Sequence, residues 1–184
     1  MPKLALYGLP GAGKSTFARL LATQAEAAGV PCKVVKIGAP LYELQALMYT
    51  LAGRPLLSPT TQDGLLLSDL ARHLRRINST SLTDLFAAKV AAVPAGTILV
   101  CDDMRAPDVE AVTRLGFLLV EVHAPQETRW PRRQARGDLT LAREDHPNEV
   151  PVHRTPDHRV ANDGGLAALR GQAATLIERL GVKM

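Results

Sequence analysis

The sequence predicts an α/β domain in which a parallel sheet of roughly five strands carries helices on both faces. Three observations lead there. Short runs that are apolar without alternation, such as Leu4-Ala5-Leu6-Tyr7 and Thr97-Ile98-Leu99-Val100-Cys101, recur between longer stretches of helical period, and a strand apolar on both faces belongs inside a parallel sheet. A glycine-rich segment joins the first apolar run to the first helical stretch. A later run delivers two adjacent carboxylates, Asp102 and Asp103, at its carboxyl end, the edge at which such sheets bind ligands.

Residues 3 to 8 form the first strand, and the first helix runs to about Ala28, where Gly29 and Pro31 end it. Lys33-Val34-Val35-Lys36-Ile37 is a second strand, and Gly38-Ala39-Pro40 turns the chain into a helix over Leu41 to Ala52, ended by Gly53 and Pro55. The segment from Arg54 to Pro59 carries two prolines and reads as a loop. Thr60, with Asp63 three residues on, is placed to cap a third helix that extends to about Asn78. That helix is expected to bury Leu66, Leu70, Leu74 and Ile77 and to turn Arg72, Arg75 and Arg76 the other way. Ser81 to Val93 is a further helix, stopped by Pro94-Ala95-Gly96. After the strand at 97–101 come a short helix over Pro107 to Leu115, a fourth strand over Phe117 to Val122, a weak fifth over Arg159 to Ala161, and a closing amphipathic helix over Leu166 to Leu180. No repeat and no linker divides the chain, so residues 1–184 read as one domain, with substrate-side helices at about 40–93 and a lid at about 126–156.

Composition narrows the function classes. Aromatic residues make up 4% of the chain, too few for base stacking on nucleic acid to be the obvious plan. The net charge of +4 suits small anionic partners, and arginine forks suit phosphate. Cys32 and Cys101 show no zinc or CxxC spacing and read as reduced thiols. No apolar run approaches a membrane span, and the chain enters the glycine-rich segment too early for a signal peptide; the expectation is a cytoplasmic protein without membrane or nucleic-acid partners, homodimerisation being left open.

The glycine-rich segment is Gly8-Leu9-Pro10-Gly11-Ala12-Gly13-Lys14-Ser15, set between a strand and a helix. That is a Walker A pattern in its required context, and it predicts the three-layer sandwich of the P-loop NTPases. Backbone N–H groups must close around a phosphate without side chains in the way, and the helix that starts near Lys14 points its positive end at the same anion. The candidate nucleotide-binding residues are Gly8, Gly11, Ala12, Gly13, Lys14, Ser15 and Thr16, with ATP as the nucleotide. Lys14 is placed to reach the β- and γ-phosphates, and the Ser15 hydroxyl to hold Mg2+. Asp102 and Asp103 are the candidate carboxylates for that metal; adjacent strand residues point to opposite faces, so only one easily faces the phosphates.

Arg129, Arg132, Arg133 and Arg136 fall at i, i+3, i+4 and i+7, one face if the segment is helical. On a lid they could neutralise charge on a transferring phosphoryl group. Pro131 fits only a first turn, so the helix is expected to start near Trp130 and to leave Arg129 outside. His146 and His153 lie in the polar stretch from Gly137 to Pro156 without metal-spaced partners. No guanine-reading Asn-Lys-x-Asp sequence and no LSGGQ-like segment occurs, which favours a small-molecule kinase over a switch or a transporter ATPase.

Several segments together resemble the bacteriophage-type deoxynucleoside monophosphate kinases of the P-loop nucleoside monophosphate kinase group. Besides Gly8 to Ser15, Val35 to Leu41 is similar to the family's substrate-side strand and turn. Asp103-Met104-Arg105-Ala106-Pro107 is similar to its Asp-x-Arg-Phe-Pro, followed by an acidic Asp108 or Glu110. His146-Pro147-Asn148-Glu149 is similar to its His-x-Ser-Glu, and Asn162-Asp163-Gly164-Gly165-Leu166 to its closing turn. Ala106 and Asn148 depart from the pattern, and residues 54–84 match loosely. The resemblance implies transfer of the γ-phosphoryl group of ATP to a nucleoside monophosphate or a similar small phosphorylated substrate. Lys14, Asp103, Arg105, Arg132, Arg133 and Arg136 would be catalytic, and Lys36, Arg72, Arg76, Asp102 and Arg105 would bind substrate. The rival readings are a P-loop kinase acting on a metabolite hydroxyl or a non-nucleotide phosphate, with Asp103 as base, and a regulatory nucleotide-binding ATPase.

Overall fold

The computed structural model describes residues 1–58, 60–141 and 151–181; the His146 to Glu149 segment and part of the expected lid lie outside these. The element order is β1 (Lys3–Tyr7), α1 (Lys14–Ala27), β2 (Cys32–Val35), α2 (Ala39–Leu51), α3 (Gly64–Ile77), α4 (Ser81–Ala91), β3 (Ile98–Cys101), a 3-10 turn at Ala106–Asp108, α5 (Val109–Arg114), β4 (Leu118–His123), α6 (Gln126–Ala135), β5 (His158–Ala161) and α7 (Leu166–Arg179). All pairings are parallel, in the order β2-β3-β1-β4-β5.

Alternation along the central strands sends side chains into two separate cores. Leu4, Leu6, Ile98, Val100, Val120 and Val122 pack with Phe17 and Leu21 of α1 and Leu169, Ala173 and Ile177 of α7. Ala5, Tyr7, Leu99, Cys101 and Leu119 face the other way, onto Leu82 and Phe86 of α4 and Val112 of α5. The central strands are thus covered on both faces, which accounts for their unbroken apolar runs. The helices bury stripes at helical spacing, Leu82, Phe86 and Val90 in α4 and Leu169, Ala173, Leu176 and Ile177 in α7.

Because β1 has β3 on one side and β4 on the other, the chain leaves the centre in both directions. The crevice outside the carboxyl ends of these three strands is the switch point at which such folds bind ligands. The glycine-rich loop after β1, the Asp pair after β3 and α6 after β4 all converge there.

Three expectations are corrected. The second strand ends at Val35 rather than Ile37. The third helix begins at Gly64, and its cap is Asp63, whose Oδ1 accepts from Leu66 N at 3.1 Å; Thr60 instead pairs with Ser58. The same helix exposes 72% of Ile77 and buries Ser68 and Ala71, small residues that let it approach its neighbours, while Leu67, Leu70 and Leu74 are half-buried against the core.

Candidate functional site

The loop after β1 owes its shape to two close approaches. Gly11 has φ +82°, and a Cβ there would lie 2.6 Å from Arg129 O and 3.0 Å from Arg133 Cγ; Gly13 has φ +97°, and its Cβ would lie 2.2 Å from Asn162 Nδ2. Both positions are left-handed and walled in, so only glycine fits. Asn162, 5% exposed, fastens the loop from β5 by donating Nδ2 to Ala12 O at 2.8 Å. Lys14 folds back over the cradle and donates Nζ to Gly8 O at 2.7 Å and to Leu9 O at 3.3 Å. Ser15 is exposed and Thr16 half-buried in the first turn of α1.

At the end of β3 the two carboxylates take different partners. Asp102, 3% exposed, accepts from Lys36 Nζ through Oδ1 at 2.6 Å. Burial alone pulls the Lys36 ammonium down, but the Asp102 carboxylate overrides it and holds the lysine above its ordinary value. Asp103 accepts from Ile37 N and Gly38 N, each at 2.9 Å, one per oxygen. Burial pushes its carboxyl up; Lys36 and the two amides pull the other way without cancelling it. Asp103 therefore braces the turn between β2 and α2, leaving Asp102 as the carboxylate better suited to a metal. Burial also raises Tyr42, with Asp103 nearby adding to it.

Two cavities meet at Arg105. One, about 230 Å³, lies beside the cradle, bordered by Tyr7, Gly8, Met104, Glu121 and Arg129. The other, about 110 Å³, is a cleft between the β2–α2 turn and α3, bordered by Tyr42, Gln62, Ser68, Arg75, Asp103 and Asp108. Arg105 borders both. Arg72 and Arg76, expected to bind substrate, do not border either cavity: Arg72 is exposed and pairs with Asp69 at 2.9 Å, and Arg76 is exposed. Arg75 borders the cleft and donates to Asp108 at 2.8 Å. Its signal lay in Ser68 and Ala71, which share its helix face at i−7 and i−4.

The arginine helix starts at Gln126, four residues earlier than expected, and contains Pro131. Arg129 is therefore inside it, 5% exposed, and donates Nη1 to Pro10 O at 3.2 Å. Arg133, 6% exposed, packs on Gly11 with its guanidinium 5.8 Å from the Trp130 ring centre. Arg132 donates to Asn162 O at 3.3 Å. Arg136 turns away to Asp138 and Gln62. The four expected arginines thus divide into three at the cradle and one, Arg136, that reaches Gln62 on the border of the cleft.

The fold as a whole has counterparts among solved structures. The APS kinase of Mycobacterium tuberculosis in complex with AMPPNP and APS superposes with a TM-score of 0.57 at 20% identity, covering 98% of this chain and 97% of that one. Shikimate kinase of Acinetobacter baumannii with shikimate gives 0.53 at 16% identity, covering 100% and 96%, and a sugar kinase from Janibacter sp. gives 0.51 at 16%, covering 100% and 99%. The chain shares the fold of these three kinases. No protein-family model and no curated protein sequence matches the chain.

The glycine-rich loop, expected to hold phosphates, raises the question of a divalent cation. Among the described residues no group of three or more His, Cys, Asp or Glu side chains could hold one. The donors present, an exposed hydroxyl at Ser15 and a carboxylate at Asp102 with one oxygen on Lys36, fit Mg2+, which takes one or two protein oxygens together with phosphate oxygens and water. No helix among the described residues is long and apolar enough to cross a membrane.

Proposed function

We propose that this protein transfers the γ-phosphoryl group of ATP to a small acceptor that already carries a phosphate, a nucleoside monophosphate in the finer reading. The observation that carries the proposal is the position of Arg105, which borders both the cavity at the cradle and the cleft that contains Arg75. A triphosphate on the glycine loop that borders the first and an anion in the second would face each other across one guanidinium. The APS kinase of like fold, seen with AMPPNP and APS, is in keeping with a donor nucleotide beside a small acceptor.

In this reading the amides of Gly11 to Ser15 and Lys14 hold the donor phosphates, with Thr16 beside them. Ser15 and, through water, Asp102 would hold Mg2+, which neutralises phosphate charge when bound. Lys36 orients Asp102 through its 2.6 Å contact with Oδ1. Arg75 and Arg105 hold the acceptor anion, and an acceptor oxygen attacks the γ-phosphorus as the bond to the β-phosphate oxygen breaks and ADP leaves. A phosphate monoester has its second pKa at about 6, so its attacking oxygen needs no base. That suits a site whose Asp103 has both oxygens on backbone amides. Arg132 and Arg133, beside Gly13 and Gly11, meet the charge that develops on the moving group.

A hydroxyl acceptor is the second reading, favoured by the upward push on Asp103, since a carboxyl so placed can take a proton. ADP release screened over ribo- and deoxynucleoside monophosphates, with non-nucleotide alcohols and phosphates as the other arm, separates the two. Release with a monophosphate and a rate independent of an enzyme carboxylate supports the first. Release only with alcohols, limited by one ionising carboxylate, replaces it, and tight ATP binding with no acceptor-dependent release at all removes both.

A further inference from the structure

The segment after α6 is stitched to the loop that leads into α3. Leu139 N donates to Gln62 O at 2.8 Å and Gly64 N to Thr140 O at 3.0 Å, making a short parallel bridge between Asp63 and Thr140. Side chains reinforce it. Thr140 Oγ1 donates to Asp63 Oδ1 and accepts from Leu65 N at 3.0 Å. Tyr49 OH donates to Asp63 Oδ2 at 2.7 Å, and Arg136 Nη2 donates to Gln62 Oε1 at 3.0 Å. Gln45 of α2, 1% exposed, holds the loop from beneath, accepting from Asp63 N at 2.7 Å and donating to Thr61 O at 3.0 Å.

This bridge lies outside the sheet and joins two parts of the site. Gln62 and Gly64 border the acceptor cleft, whereas α6 carries Arg129 and Arg133 onto the glycine loop. On its own, α6 is a poor helix, because Pro131 removes an internal hydrogen bond. Its placement must come from outside. The cradle fixes its first half and the Asp63–Thr140 bridge fixes its far end.

We infer that Asp63 and Thr140 are positioning residues, which clasp the arginine helix to the acceptor side so that the walls of the cleft and the arginines over the cradle hold one geometry. What passes between the two sides rests on the kinase reading above; the clasp itself does not. Neither residue touches the donor cradle, so loosening the clasp should leave ATP binding alone and weaken productive acceptor binding.

The test is Thr140→Val, which removes the hydroxyl and keeps the shape, with Thr140→Ser as the conservative rescue. Asp63 is a poorer first target because it also caps α3. Hydrogen exchange at Gly64, Leu65 and Leu139 in the wild type should show protection; in Thr140→Val it should fall at Leu65, with the melting midpoint little changed. In steady state, the valine variant should raise the acceptor KM about tenfold, the scale of one hydrogen bond to a charged network, with the KM for ATP unchanged, and serine should restore it. Unprotected amides at these positions in the wild type, or a valine variant with wild-type acceptor KM, would overturn the clasp. A wild type that is protected there yet releases no ADP with any acceptor would overturn the kinase reading and leave the clasp standing.

Discussion

Arg75 Nη2 lies 2.8 Å from Asp108 Oδ1, and the other oxygen of Asp108 accepts from Arg105 N at 3.0 Å. One carboxylate, 1% exposed, therefore aims the side chain of one cleft arginine and fixes the backbone of the other. Asp108→Ala should remove one acceptor from each donor. Removing one partner of a buried pair costs about 3–5 kcal/mol, and since Arg75 keeps 17% exposure the lower end, about 3 kcal/mol, is expected in denaturant unfolding. Arg75→Ala should instead raise the acceptor KM and spare the KM for ATP; equal effects on both would remove Arg75 from the acceptor side.

Lys14→Ala should leave the fold and reduce phosphoryl transfer by about a hundredfold or more, the range for deleting one preorganised donor to a charged transition state. The lysine's contacts include two loop carbonyls, Gly8 O and Leu9 O, which water can replace. Circular dichroism should match the wild type, and single-turnover assays should read the loss. Turnover near the wild-type rate would reject the cradle as the donor site.

Gly13→Ala and Asn162→Ala form a coupled pair. Alanine at Gly13 meets both the left-handed φ of +97° and Asn162 Nδ2 at 2.2 Å, so it should cost about 2 kcal/mol or more from backbone strain and displacement together. Asn162→Ala leaves the buried Ala12 carbonyl without its 2.8 Å donor, a loss of about 1–3 kcal/mol. Since the second change removes the atom that the first collides with, the double variant should lose less than the sum. Strict additivity in thermal unfolding would mean that Asn162 does not hold the loop.

The arginine helix divides by position. Arg132→Ala and Arg133→Ala should lower kcat by about 10²- to 10³-fold, as for other groups that meet developing charge. Arg136→Ala should act on the acceptor KM, because its guanidinium donates to Gln62, which borders the cleft. A series of all three with no effect on kcat would return the helix to a solvated basic face.

Much of this was legible in the residues themselves. The centre of the sheet was readable because β1 and β3 are apolar on both faces, and the cradle because GxxxxGK[ST] in a strand–helix context has one main use. What the sequence hid follows from choices that only tertiary contacts make. Helix α3 carries leucines on more than one face, so its rotation was set by the small Ser68 and Ala71, and Arg75, not Arg72 or Arg76, came to the cleft. Pro131 argued locally for a late start to α6, yet packing on Gly11 and Pro10 keeps the turn before it helical. The Asp63–Thr140 bridge joins residues 77 positions apart, beyond the reach of any local period.

Asp63 gives the clasp a pH limit. Burial pushes its carboxyl up, but the hydroxyls of Thr140 and Tyr49 and the amides of Leu66 and Leu65 outweigh burial and hold it below the ordinary carboxylate range. A folded value below the unfolded one means stabilisation that is complete above the ordinary Asp value of about 3.9 and is lost as pH falls through the folded value. In Asp63→Asn the charge is absent at every pH, so wild type and variant should differ in melting temperature near neutrality and converge under acid. Thr140→Val should show the same convergence to a smaller degree, because it removes one donor of several. A gap between wild type and Asp63→Asn that stays constant from neutral pH into acid would mean that the charge on Asp63 does not hold the clasp, and that the asparagine acts only through the α3 cap.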